Sequence, residues 1–125
     1  MKLNKFKVSD AELEVLKALW ELKQGTSSQI INHLVGKTDW KPKTIQTLIT
    51  RLIKKEVVIV NKSNKKSYIY SPSISEDEFR KFANDSLLNK LYNGSVNSMI
   101  STFIKNTSLS NEDIQNLKNL LDNEF

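Results

Sequence analysis

Residues 40–55 read WKPKTIQTLITRLIKK, and this stretch carries two faces of one helix. Ile45, Leu48, Ile49, Leu52 and Ile53 recur at i, i+3, i+4, i+7 and i+8, the spacing of a stripe turned toward a core. At about 100° per residue, Lys43, Thr47, Thr50 and Lys54 fall on the opposite side. Thr44 and Arg51 flank that side on one edge and Gln46 on the other. Pro42 suits the first helical position, where the missing N–H has no partner to lose. With no carboxylate before Glu56, the outer face is suited to phosphates and base edges. The same pattern also describes an ordinary solvated basic surface, so the rest of the chain has to decide.

Upstream, Ser9 and Glu12 form the S-x-x-E capping box, in which each side chain satisfies the other's backbone at a helix start. Leu13, Leu16 and Trp20 form the stripe of that helix, widened by Ala18 and Leu19. Gly25 is expected to end it in the left-handed conformation common at helix stops. Thr26 and Ser27 cap a short second helix with Ile30, Ile31 and Leu34 inward, closed by Gly36. Met1 to Val8 is a basic lead-in expected to be loosely held. Three helices, the last with an exposed basic face, are the layout of a helix-turn-helix.

Downstream the period changes. VVIVNK (57–62) is β-branched, SYIYS (67–71) alternates aromatic and aliphatic residues, and the polar turn Ser63-Asn64-Lys65-Lys66 lies between them. This predicts a β-hairpin, a wing with Lys62, Lys65 and Lys66 near its tip. Pro72 marks the expected boundary between two halves. Ser75 and Glu78 make a second capping box, opening a helix over 76–92 with Phe79, Phe82, Ala83, Leu87 and Leu91 as candidate buried positions. Asn93-Gly94 breaks it. Val96, Met99, Ile100, Phe103 and Ile104 mark a further helix, and Ser110 caps a last one with Ile114, Leu117, Leu120 and Leu121 in its stripe. The expected fold is mainly α: a winged helix-turn-helix (three helices plus a β-hairpin wing) over residues 1–72, then a three-helix dimerisation domain over 73–125.

Charge separates the same halves. Residues 1–70 hold 14 Lys/Arg against 6 Asp/Glu, a net of +8, whereas residues 71–125 hold 5 against 8, a net of −3. The basic half is the one expected to meet a polyanion. The acidic half has about 50 residues, a marginal size for an independent core. Its Phe79, Phe82, Leu87, Leu91, Met99, Phe103, Leu117 and Leu121 need partners, and a second copy of the chain is favoured over packing on the winged helix. A reader of short half-sites gains affinity and specificity by binding as a symmetric pair.

Catalytic and cofactor chemistry find no support. The chain has no cysteine, which removes disulfides, thiolate metal sites and cysteine redox sensing. His33 is the only histidine and has no acidic or thiol company at metal-ligand spacing. Only three glycines occur, none in a phosphate loop. Glu76, Asp77 and Glu78 sit in a first helical turn, where carboxylates complement the helix dipole. Neither a signal peptide nor a membrane-length apolar run is present, so a cytoplasmic setting without membrane insertion is expected.

On DNA, Lys43, Thr44, Gln46, Thr47 and Arg51 are expected to meet the major groove, with Thr50 on the same face. Thr44 and Thr47 can donate to phosphate or touch a thymine methyl, Gln46 can bond adenine edges, and Arg51 can bond guanine or phosphate. Lys41, Lys54, Lys65 and Lys66 are expected to hold phosphate and to set affinity rather than sequence.

The segments SDAELEVLKALW, DWKPKTIQTLITRL and NKSNKKSYIYSP closely resemble the penicillinase repressor family of BlaI/MecI/CopY-type winged-helix repressors. The tail NKLYNGSVNSMISTFIKNTSLSNEDIQNLKNLL is similar to the BlaI/MecI branch. The most specific part is T-L-x-x-R-L at Thr47 to Leu52, preceded by Pro-Lys-Thr at 42–44. The resemblance implies a cytoplasmic homodimer on palindromic operators with TACA/TGTA-type half-sites, repressing β-lactam resistance genes. It also implies a membrane-bound metalloprotease sensor and release by cleavage in the dimerisation domain. By alignment the cut falls near Thr102-Phe103, where the family commonly has Asn before Phe. The copper-sensing branch uses Cys-x-Cys pairs, which this chain lacks. Two alternatives stay open: a ligand-responsive regulator with a small molecule near Met99 and Phe103, and a winged helix used as a protein-interaction module.

Overall fold

The computed structural model describes residues 7–124. The basic lead-in lies outside the described residues through residue 6. The chain divides into two compact units between Ala83 and Asn84.

In the first unit, α1 (Asp10–Leu22), α2 (Ser27–Leu34) and α3 (Pro42–Lys54) are followed by the hairpin strands β1 (Val58–Asn61) and β2 (Ile69–Pro72). The strands pair antiparallel with Val58 opposite Pro72 and Asn61 opposite Ile69. Between them the loop folds on asparagine side chains. Asn61 Oδ1 accepts from the Ser63 N–H at 2.9 Å and Asn64 Oδ1 from the Lys66 N–H at 3.0 Å. The turn is longer than the four residues expected from the sequence, because both asparagines offer the backbone local acceptors.

The core keeps most of the expected stripe positions, but Leu13, Ile31 and Ile53 are only partly buried, and Val15 and Ile74 join it. Leu16, Ala18 and Leu19 of α1, Ile30 and Leu34 of α2, and Ile45, Leu48, Ile49 and Leu52 of α3 are buried together with Val57, Val58 and Tyr70. Val15, outside the expected stripe of α1, is fully buried, while Trp20 is only partly so. The Trp20 indole Nε1–H donates to the Ile74 carbonyl at 2.9 Å, which explains why that ring stays at the margin.

Gly25 does not carry the left-handed residue of the α1 stop. Lys23 does, at φ 73°, and its N–H reaches the Leu19 carbonyl. Gly25 instead forms a two-hydrogen-bond bridge to Tyr70 of β2, its N–H donating at 2.9 Å and its carbonyl accepting at 2.8 Å. A side chain there would press on Gln29, whose Oε1 lies 3.2 Å from the Cβ position. The bridge ties the α1–α2 connection to the wing.

Glu12 has a second task besides capping. It is buried at 2% exposure, accepts from the Ser9 N–H at 2.8 Å, and is paired with the ammonium of Lys55, just past α3. Lys55 also donates to the Lys7 carbonyl at 2.7 Å. Burial works to raise the Glu12 pKa, but the Lys55 and Ser9 hydrogen bonds outweigh it and hold the carboxyl below its ordinary range. A depressed folded-state pKa adds stability that is present above the unfolded value and is lost as pH falls through the folded one. Glu12→Gln is therefore expected to cost about 1–3 kcal/mol at neutral pH, with the deficit shrinking on acidification below about pH 4. Urea titrations of both proteins across that range check it.

α4 (Glu76–Tyr92) opens in the first unit with its capping box formed, the Glu78 N–H donating to Ser75 Oγ at 3.1 Å. Phe79 packs on the first unit's core, its ring 5.6 Å from that of Trp20. The compact unit therefore runs past Pro72, which pairs within β2.

The second unit contains the rest of α4, then α5 (Val96–Asn106) and α6 (Asn111–Glu124). Asn93 and Gly94 both take positive φ at the first break. Ser95 caps α5 and Ser110 caps α6, the latter in a reciprocal pair with Asp113. Among the described residues of this unit no side chain is fully buried.

Candidate nucleic-acid interface

α3 buries Ile45, Leu48, Ile49 and Leu52 and leaves Lys43, Thr44, Thr47, Thr50, Arg51 and Lys54 exposed, with Lys41 exposed just before it. Its start carries no acidic residue and no side-chain cap, so no carboxylate screens the positive end of the helix dipole, although Pro42 has no N–H and the Thr44 N–H donates to the Lys41 carbonyl at 2.9 Å. The five ion pairs among the described residues engage Lys17, His33, Lys37, Lys55 and Arg80. None engages Lys41, Lys43, Arg51, Lys54, Lys65 or Lys66, so these cations are available to an external anion.

The hydroxyl groups on this face are less free than the cations. Thr47 Oγ1 donates to the Lys43 carbonyl and Thr50 Oγ1 to the Gln46 carbonyl, both at 3.0 Å. Each proton is thus committed to its own helix, so Thr47 presents its methyl group and acceptor lone pairs rather than the donor expected from its residue type. Gln46 is half-buried, and its Oε1 accepts from Ser27 Oγ of α2 at 2.8 Å. Its carbonyl, one half of the pair that would read adenine, is engaged inside the protein.

The wing stands beside this face through α2. A cleft of about 210 Å³ is lined by Thr26, Ser27 and Ser28 at the start of α2 and by Lys65, Lys66, Tyr68 and Tyr70 of the hairpin. Thr26 caps α2 in a reciprocal box with Gln29. Lys62, exposed in the wing loop, lies over the Tyr68 ring at 5.7 Å. The start of α2 therefore touches α3 through Ser27 and borders the wing lysines.

The penicillinase repressor family model matches residues 8–123. The penicillinase repressor of Bacillus licheniformis is 39% identical over 115 residues, covering 92% of this chain and 89% of that protein. This chain belongs to the penicillinase repressor family. The methicillin resistance regulatory protein MecI of Mammaliicoccus sciuri is 36% identical over 116 residues, covering 93% of this chain and 94% of that one. The solution structure of the monomeric form of Bacillus licheniformis BlaI in complex with the blaP half-operator superposes with a TM-score of 0.50 at 39% identity, over 58% of this chain and 87% of that one. Penicillinase repressors are transcriptional regulators and not enzymes. Among the described residues there is no group of His, Cys, Asp or Glu able to hold a metal, and no helix long and apolar enough to cross a membrane.

The residues expected to pair two penicillinase repressor chains divide between the units. Phe79 packs inside the first unit, and Phe82 is half-buried there. Leu87, Met99, Phe103, Leu117 and Leu121 line one apolar groove of about 660 Å³ in the second unit. Leu91 lies outside that groove and is 67% exposed. Thr102 and Phe103 are exposed on α5, and the Thr102 carbonyl accepts from Asn106 Nδ2 at 2.9 Å.

Proposed function

We propose that this chain is a transcriptional repressor of β-lactam resistance genes, binding double-stranded operator DNA in the cytoplasm as a homodimer. The observation that carries the DNA half is the outer face of α3: exposed cations without an ion-pair partner among the described residues, bordered through Ser27 by the wing lysines. Arg51, Lys43, Thr44, Gln46 and Thr47 meet base edges, with Thr50 beside them. Lys41, Lys54, Lys65 and Lys66 hold phosphates. That the BlaI relative forms a complex with a half-operator supports DNA binding by this chain.

The exposed apolar groove of the second unit supports the homodimer, since Phe103 is 56% and Leu121 58% exposed in the single chain. Release follows when a membrane-bound metalloprotease sensor triggers cleavage between Thr102 and Phe103. That bond lies inside α5, so local unwinding has to precede the cut. Protection footprinting on the chain's own upstream DNA, before and after β-lactam exposure of the host, tests the proposal. The expected result is a symmetric protected site that disappears as a shortened chain accumulates on an immunoblot. Release with the chain intact would instead favour a small-molecule inducer in the Met99–Phe103 groove.

A further inference from the structure

The Ser27–Gln46 hydrogen bond joins the start of α2 to the groove-facing side of α3, across 19 positions of sequence. We propose that Ser27 is a positioning residue for base recognition, and that it fixes which way the Gln46 amide faces. The inference rests on the proposed role of α3 in DNA reading. Ser27 Oγ donates to Gln46 Oε1 at 2.8 Å, so the oxygen is turned toward α2 and the NH2 group takes no part in this contact. An unrestrained glutamine reads adenine by accepting from N6–H2 while donating to N7. A glutamine held this way has one of its two oxygen lone pairs engaged and keeps both N–H donors, so its balance shifts toward donation.

The neighbouring groups push in the same direction. Lys43, one turn before Gln46, can only donate. The Thr47 and Thr50 protons are spent on the Lys43 and Gln46 carbonyls, which leaves those hydroxyls as weak acceptors beside exposed methyl groups. Around Gln46 the strong hydrogen-bonding groups, the Lys43 ammonium and the Gln46 amide N–H groups, are donors, and the hydroxyls are only weak acceptors. Such a face matches a base edge made of acceptors, guanine N7 with O6 or thymine O4, and mismatches the exocyclic amine of adenine or cytosine. Ser27 itself need not touch DNA for this effect.

The test is selection of binding sites from a randomised duplex pool by the full chain, with Ser27→Ala, Gln46→Ala and Ser27→Thr run in parallel. In the wild type, one base pair per half-site should favour the acceptor-bearing base over adenine by about tenfold. Ser27→Ala should lose that preference at the same base pair as Gln46→Ala, keep the preferences elsewhere, and gain tolerance for adenine. Ser27→Thr, which retains the hydroxyl, should restore the wild-type pattern. If Ser27→Ala keeps the wild-type preference there, or weakens all sequences equally, the positioning role is overturned while DNA reading stands. If the wild type selects no sequence at all, DNA reading by α3 itself fails.

Discussion

Leu121→Asp is expected to turn the chain into a monomer in sedimentation and to weaken its binding to a palindromic operator by about 10²- to 10⁴-fold. The size of the effect follows from where the apolar surface lies. In the second unit Leu120, Leu121, Phe103 and Leu91 each expose more than half of their surface, between 56% and 67%. No described side chain of that unit is fully buried. The groove lined by Leu87, Met99, Phe103 and Leu117 is open in the single chain, and in the proposed homodimer a second copy would cover it with a surface of matching chemistry. A carboxylate placed there would be desolvated without a partner, a penalty large enough to prevent pairing. The first unit has its own core from α1, α2, α3 and the hairpin, so binding to an isolated half-site should be unchanged. Phe103→Asp should behave in the same way. A Leu121→Asp chain that stays dimeric, or loses half-site binding equally, would show that the groove is not the pairing surface.

Replacing Lys41, Lys54, Lys65 and Lys66 together by Ala is expected to flatten the salt dependence of half-site binding by about 3–4 units in the log–log slope. Each ammonium that neutralises a phosphate releases a condensed counterion, and the loss of four such contacts accumulates in the slope. All four side chains are exposed and none makes an ion pair among the described residues, so the fold should be retained. The ranking of preferred sequences should also survive, because contacts to phosphate, the role proposed for these lysines, set affinity and register. Fluorescence anisotropy at several salt concentrations measures the slope directly. An unchanged slope would place the lysines away from phosphate.

Local signals carried most of the fold. The Ser9–Glu12, Ser75–Glu78 and Ser110 caps, the Asn93-Gly94 break and the α3 stripe are short-range patterns, and the helices lie where those patterns put them. What stayed hidden depends on pairs distant in sequence. Glu12 reads as a capping residue alone, since nothing local announces Lys55 at a separation of 43 positions. Gly25 reads as a helix stop because its partner Tyr70 lies in the wing. Phe79 reads as part of the tail because its contact, Trp20, belongs to α1. At the interface, residue identity revealed charge but not hydrogen-bond commitment. Thr47 and Gln46 are common base readers, yet a backbone carbonyl holds the proton of one and Ser27 engages the acceptor of the other.

We propose that the outer face of α3, with the wing beside it, recognises a specific duplex. The most direct test is a titration of the intact wild-type chain against a duplex from its own upstream region and a scrambled duplex of equal length, at fixed physiological salt. The expected result is binding to the upstream duplex at least about 10³-fold tighter than to the scrambled one. Equal affinity for the two duplexes would contradict it.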